Sequence, residues 1–239
     1  METREVAVVI PAYNESHSYF SRLVLALEKE PFVKNVIVVN DGSTDNTYEL
    51  LQKLKRKATK LTIVSYRKNK GKEYAVKRGL EFCINSCSFT DLIALMDSDG
   101  QHKVSDLERM YNLIKKKDCD VVSGVRNYEE MPLTRKVANV GMRLLWNVFG
   151  GLPFKDVLFG QKIFKTRYVR RLANDLEEKG NYKIELDLAL SFYKQKASIQ
   201  EIKVRAEYKD CSRKSGMGLK NTRWIKQTLH ALKIILSKS

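Results

Sequence analysis

The chain has 239 residues, 43% of them hydrophobic, and carries 44 Lys and Arg against 28 Asp and Glu, a formal net charge of +16. That length and apolar content suit one sizeable α/β core, and no Gly-, Ser- or Pro-rich linker or internal repeat divides it. No apolar run reaches the 18 residues of a bilayer span. Met1 to Arg4 leads almost at once into a strand, leaving no room for a signal peptide, and Cys83, Cys87, Cys119 and Cys211 lack metal-type spacing, so a reduced, cytosolic compartment is expected.

The predicted elements repeat one unit. Val6 to Ile10 reads as a buried strand and runs into Pro11-Ala12-Tyr13-Asn14-Glu15. Val36 to Val39 ends in Asn40-Asp41-Gly42-Ser43-Thr44-Asp45, and Leu61 to Val64 is followed by Asn69-Lys70-Gly71-Lys72-Glu73. Leu92 to Met96 ends in Asp97-Ser98-Asp99-Gly100-Gln101-His102. Each polar loop opens a helical pattern, so strand, loop and helix recur four times. This predicts a mostly parallel sheet flanked by helices, with all four loops on the edge where open α/β sheets gather ligands. An acidic turn in solvent accounts for Asp97-Ser98-Asp99 alone, but not for its company. Two carboxylates at a strand end suit a hard divalent cation that keeps waters and grips a diphosphate.

VVIPAYNE, VVNDGSTDNT, NKGKEYAVKRGL, ALMDSDGQH and DVVSGVR, in that order over residues 6 to about 205, resemble the signature of the inverting family 2 glycosyltransferases. Within that family the chain is most similar to the polyprenyl-phosphate hexosyltransferases, the dolichyl-phosphate mannose synthases above all. The resemblance implies the GT-A fold, a Rossmann-like α/β architecture, and a donor nucleotide-sugar site drawn from Pro11, Tyr13, Glu15, Asp41, Lys72, Asp97, Ser98, Asp156 and Arg213. It implies Mg²⁺ or Mn²⁺ on Asp97, Asp99 and Gln101, and an acceptor phosphate on Arg126, Arg135 and Asn139, with Asp97, Asp99 and Arg126 as the catalytic set. Glu185 resembles the family's helix-borne glutamate. Gln161 stands where the family carries an aromatic residue, and Lys162 keeps its cation. Asn139 replaces the usual serine.

An acceptor of this class removes one chemical requirement. A phosphate monoester is largely a dianion at neutral pH, so it needs cations to dock rather than a base to activate it. Arginine's planar fork suits that task. Gln101 and Ser123-Gly124-Val125-Arg126 resemble the mannose synthases, which implies mannose from GDP-mannose as the donor, while Asn69-Lys70-Gly71-Lys72 resembles the glucosyl relatives and implies UDP-glucose as the alternative.

The charge is uneven. Lys53 to Arg78 holds eleven basic residues and one acid, and Lys209 to the end holds eight and one. Leu219 to Leu236 reads as a basic amphipathic helix with Ile225, Leu229, Leu232 and Leu236 on one face, so the chain divides into a domain over 1–218 and a membrane-interface or packing segment over 219–239. The expected partners are a nucleotide diphosphate-sugar, dolichyl or another polyprenyl phosphate, an anionic membrane surface on its cytosolic face and a membrane-anchored protein. A non-catalytic basic binding protein is the contrary reading. Nucleic acid is not expected, since Asp41, Asp97 and Asp99 at the ligand edge repel phosphate unless a metal intervenes.

Overall fold

The computed structural model describes residues 4–86, 90–126, 154–157, 159–175 and 184–204. Arg135, Asn139, Arg213 and the helix expected over 219–236 lie outside these residues, as does the boundary at 218.

Seven strands form one sheet in the order β3-β2-β1-β4-β6-β5-β7. The first half follows the expected repeat: β1 (Val6–Ala12), α1 (Ser18–Lys29), β2 (Val33–Asp41), α2 (Thr47–Lys55), β3 (Leu61–Tyr66), α3 (Lys72–Ser86), β4 (Leu92–Leu95) and α4 (Val104–Lys117). β1 pairs in parallel with β2 and β4, and β2 with β3. Then come β5 (Val121–Arg126), β6 (Lys162–Lys165), a 3₁₀ turn (Thr166–Tyr168), α5 (Val169–Asp175), α6 (Ile184–Lys194) and β7 (Ile199–Val204). β6 runs antiparallel between β4 and β5, while β5 and β7 are parallel. The sheet is therefore mixed but mostly parallel.

The strands read as continuous apolar runs because both faces are covered. Ala7 and Val9 of β1 and Ile37 and Val39 of β2 belong to one core with α3, α5 and α6, through Leu80, Leu172, Leu186 and Phe192. Val8, Ile10 and Val38 pack on the other face with Phe20 and Val24 of α1, Leu51 of α2 and Leu107 and Met110 of α4. Each such fully buried Val, Leu or Phe contributes roughly 1.5–3 kcal/mol of apolar transfer. Helix α3 lies so close to β1 that a Cβ at Gly79 would stand 2.3 Å from Val9 Cγ1. That contact fixes the helix whose first residue, Lys72, faces the ligand edge.

Cys83 and Cys119 are buried. No helix among the described residues is long and apolar enough to cross a membrane.

Candidate active site

The parallel strands β1, β2, β3 and β4 end on one edge, and their loops are tied to one another. Asn14, in the left-handed region at φ 57°, donates its N–H to Ser43 Oγ at 3.0 Å and accepts from Thr44 N–H at 2.8 Å. The Glu15 N–H reaches Thr47 Oγ1 at 2.7 Å, and the Glu15 carboxylate accepts from the Tyr19 hydroxyl at 2.6 Å. Pro11 is buried in β1, and Tyr13 is 40% exposed beside these contacts.

Asp41 ends β2 almost fully buried, and its two carboxylate oxygens accept from Lys70 N–H at 2.7 Å and Gly71 N–H at 2.9 Å. The expected nucleotide-binding aspartate thus also holds the loop after β3. Gly42 makes this approach possible: its φ is +61°, and a Cβ there would sit 2.5 Å from Asn69 N. A turn built for backbone contact and a presented carboxylate are the same feature here.

Lys72, at the start of α3, is where this scaffold meets the acidic loop. Its ammonium lies 2.8 Å from Asp97 Oδ1 and 2.7 Å from Glu185 Oε1 on α6. Burial alone would lower the lysine, but Asp97 and then Glu185 hold it above its ordinary value. Burial likewise works to raise Asp97, and Lys72 and His102 overcome it, leaving that carboxyl at about 2. Asp99 goes the other way. It is exposed at the rim, yet crowding of its carboxyl and the charge of Asp97 push it up to about 6. Gln101 donates its N–H and its side-chain amide to Asp99 at 3.0 and 2.9 Å. Ser98, between the two aspartates, is buried.

His102, which no expectation from the sequence includes, is part of this cluster. It is buried, and its Nδ1 accepts the Asp97 N–H at 2.7 Å, so Nε2 carries the proton and faces Asp97 Oδ2 at 3.7 Å. Burial lowers its pKa to about 4, which keeps it neutral near pH 7. Only its place five residues after Asp97 hinted at this role.

Arg126 and Asp156, expected on acceptor and sugar respectively, are brought together. The Arg126 fork grips the buried Asp156 carboxylate through Nε at 2.7 Å and an Nη at 2.8 Å. Gln161, where the family has an aromatic, is fully buried and donates its amide to Lys103 O at 3.0 Å. Lys162 is also fully buried; burial lowers it to about 8 against the opposing pull of Glu185 and Asp156.

The donor chemistry fits a hard divalent ion in part. Among the described residues no cluster of three or more His, Cys, Asp or Glu forms a self-sufficient metal cage. Two neighbouring carboxylates, one raised by burial of its carboxyl and then by the charge of the other, fit Mg²⁺ or Mn²⁺ that would take its remaining oxygens from a diphosphate and water.

A family model described as glycosyl transferase family 2 matches residues 7–175. A UDP-N-acetylglucosamine–dolichyl-phosphate N-acetylglucosaminyltransferase of Methanococcus voltae is 27% identical over 233 residues, 90% of this chain and 91% of that protein. A dolichyl-phosphate β-glucosyltransferase of Trichomonas vaginalis is 32% identical over 185 residues, 69% of this chain but 52% of its own length. The chain thus spans about half of that relative. Among solved structures, glucosyl-3-phosphoglycerate synthase from Mycobacterium tuberculosis with UDP matches with a TM-score of 0.68 at 17% identity, over 97% of this chain and 80% of that one. The same enzyme with Mn²⁺, UDP and phosphoglyceric acid matches at 0.59 and 20% identity, over 85% and 69%. At these identities the likeness is one of fold, and the fold is GT-A.

Proposed function

The chain belongs to glycosyl transferase family 2, and on that premise we propose that it moves one glycosyl unit from a nucleotide diphosphate sugar to a dolichyl or other polyprenyl phosphate. The observation that carries this reading is the Lys72–Asp97–Glu185 cluster beside Asp99, set on the same sheet edge as Asp41 and Tyr13. Asp41 and the loop it holds would receive the base, with Tyr13 walling it and Pro11 and Glu15 shaping the floor. Mg²⁺ or Mn²⁺, held by Asp97 and Asp99 with Gln101, would stabilise the departing diphosphate as a Lewis acid. Lys72 adds a cation there, and Asp97 and Glu185 keep it protonated. Arg126 would meet the acceptor phosphate, steadied by Asp156; the family resemblance alone assigns Arg135 and Asn139 to the acceptor and Arg213 to the donor. The acceptor is already an anion, so no residue is asked to take a proton from it.

Relatives named for N-acetylglucosamine transfer from UDP-N-acetylglucosamine and for glucosyl transfer to dolichyl phosphate support one of these sugars as the donor unit, beside mannose from GDP-mannose. Single displacement on an α-linked donor gives a β-linked product. The test is a panel of UDP-glucose, UDP-N-acetylglucosamine and GDP-mannose with dolichyl phosphate, in Mg²⁺, Mn²⁺ or EDTA. Metal-dependent formation of a β-linked lipid product from one donor is expected. An α-linked product would reject the displacement, and nucleotide binding without transfer would leave a binding protein on the same scaffold.

A further inference from the structure

We propose that Lys162 is a positioning residue, its buried ammonium fixing the turn at Phe159 and Gly160 that sets Asp97 on one side and Arg126 on the other. The proposal rests on the transfer reaction above and assigns a further residue to it.

β6 bridges the two halves of the site. It lies between β4, which leads to Asp97, and β5, which ends in Arg126. Its first residue, Lys162, is in register with both Leu95 and Ser123. From this junction the Lys162 ammonium donates to the Phe159 carbonyl. The Phe159 ring then meets the His102 ring edge-on at 4.8 Å between centroids and carries the Arg126 guanidinium 5.8 Å from its own. A Cβ at Gly160 would stand 2.9 Å from Asp97 Oδ2 and 3.2 Å from His102 Cε1. His102 in turn accepts the Asp97 N–H. One turn therefore touches the donor carboxylate, its histidine and the acceptor arginine, and one buried cation holds that turn.

An ammonium buried away from water is costly unless it is paired and hydrogen-bonded. An aliphatic residue would satisfy the strand at this position, because Ile163 and Phe164 pack the two faces beside it. The charge is used locally: the ammonium donates to the Phe159 carbonyl and lies in the field of Glu185 and Asp156.

Lys162→Met keeps the side chain's length and removes its charge; Lys162→Arg keeps the charge. In the Met variant kcat should fall about tenfold or more, since small misplacements of reacting groups cost that much. The dissociation constants of UDP and GDP should stay within about twofold, and Lys162→Arg should recover part of kcat. Unchanged kcat with a lowered Tm would overturn the proposal and leave Lys162 as packing. If Lys162→Met does not fold, Lys162→Gln supports the same comparison. A second measurement does not need turnover: solvent exchange of the Arg126 Nε–H, which Asp156 accepts, read by NMR with labelled arginine. Exchange should quicken about tenfold in the Met variant, and unchanged exchange would overturn the proposal. A wild-type protein that transfers no sugar would refute the reaction, while Arg126 exchange would still decide the role of Lys162.

Discussion

At Gly160 the turn before β6 passes within contact of the acidic loop, and that closeness can be tested with one methyl group. The Cβ of Gly160→Ala would meet the Asp97 carboxylate at 2.9 Å. Overpacking of this kind costs about 1–3 kcal/mol, so Tm should drop by a few degrees. Turnover should fall further in proportion, by about tenfold or more, because the displaced group is proposed to act on the diphosphate. Full activity in this variant would remove Asp97 from the site. The sequence carried Asp97, Asp99 and Asp41 plainly, since each ends an apolar run. It did not carry the Arg126–Asp156 fork, because residues so far apart in the chain show no pairing until a sheet aligns them. His102 was hidden for another reason: a buried neutral imidazole and a surface histidine have the same one-letter record.

Among the elements, one carboxylate links the three strands of the sheet's second half. Asp120, just before β5, accepts the N–H and hydroxyl of Ser198, both at 2.9 Å, and pairs with Lys165 at the end of β6 and Arg167 just beyond it. Burial would raise this carboxyl, but the hydrogen bonds from Ser198 outweigh it and bring it to about 2. A carboxylate held below its unfolded value stabilises the fold above that value, and the contribution fades as pH falls through about 4 toward 2. Asp120→Ala should therefore cost about 2 kcal/mol near neutral pH, the price of unpaired donors. The loss should shrink below pH 3, as read by thermal melts across that range. An equal loss at pH 7 and pH 2.5 would show that packing, not charge, holds the three strands. The strands β1, β2, β3 and β4 were legible from their runs and loops. The antiparallel place of β6 was not: four residues of apolar and basic character specify a strand but neither its direction nor its neighbours.

For the whole molecule, the net charge of +16 remains to be matched to a partner. The described site uses few of these cations; Lys53, Lys55, Arg56 and Lys57 on and after α2 are solvent-exposed. We propose that the basic segment after Gly218 brings the enzyme to an anionic membrane, each nearby cation contributing about 1 kcal/mol. Wild-type protein should sediment with vesicles containing phosphatidylserine and not with neutral ones, and salt should release it, since screening acts over about 8 Å at physiological ionic strength. Removal of residues 219–239 should weaken that binding while transfer to a short-chain soluble acceptor phosphate survives. Salt-independent binding would overturn the electrostatic attachment in favour of apolar insertion, and a truncated protein that no longer folds would assign the segment to the core instead.

The position of β6 also bears on how the chain emerges from the ribosome. With residues up to 126 made, β1, β2, β3 and β4 can already pair as a parallel sheet, but β4 has an open edge. β5 waits for β6 and β7, both encoded later. An exposed strand edge is a template for the wrong neighbour, and late, non-local pairing prolongs that exposure. Nascent chains stalled before Lys162 should therefore be the aggregation-prone ones.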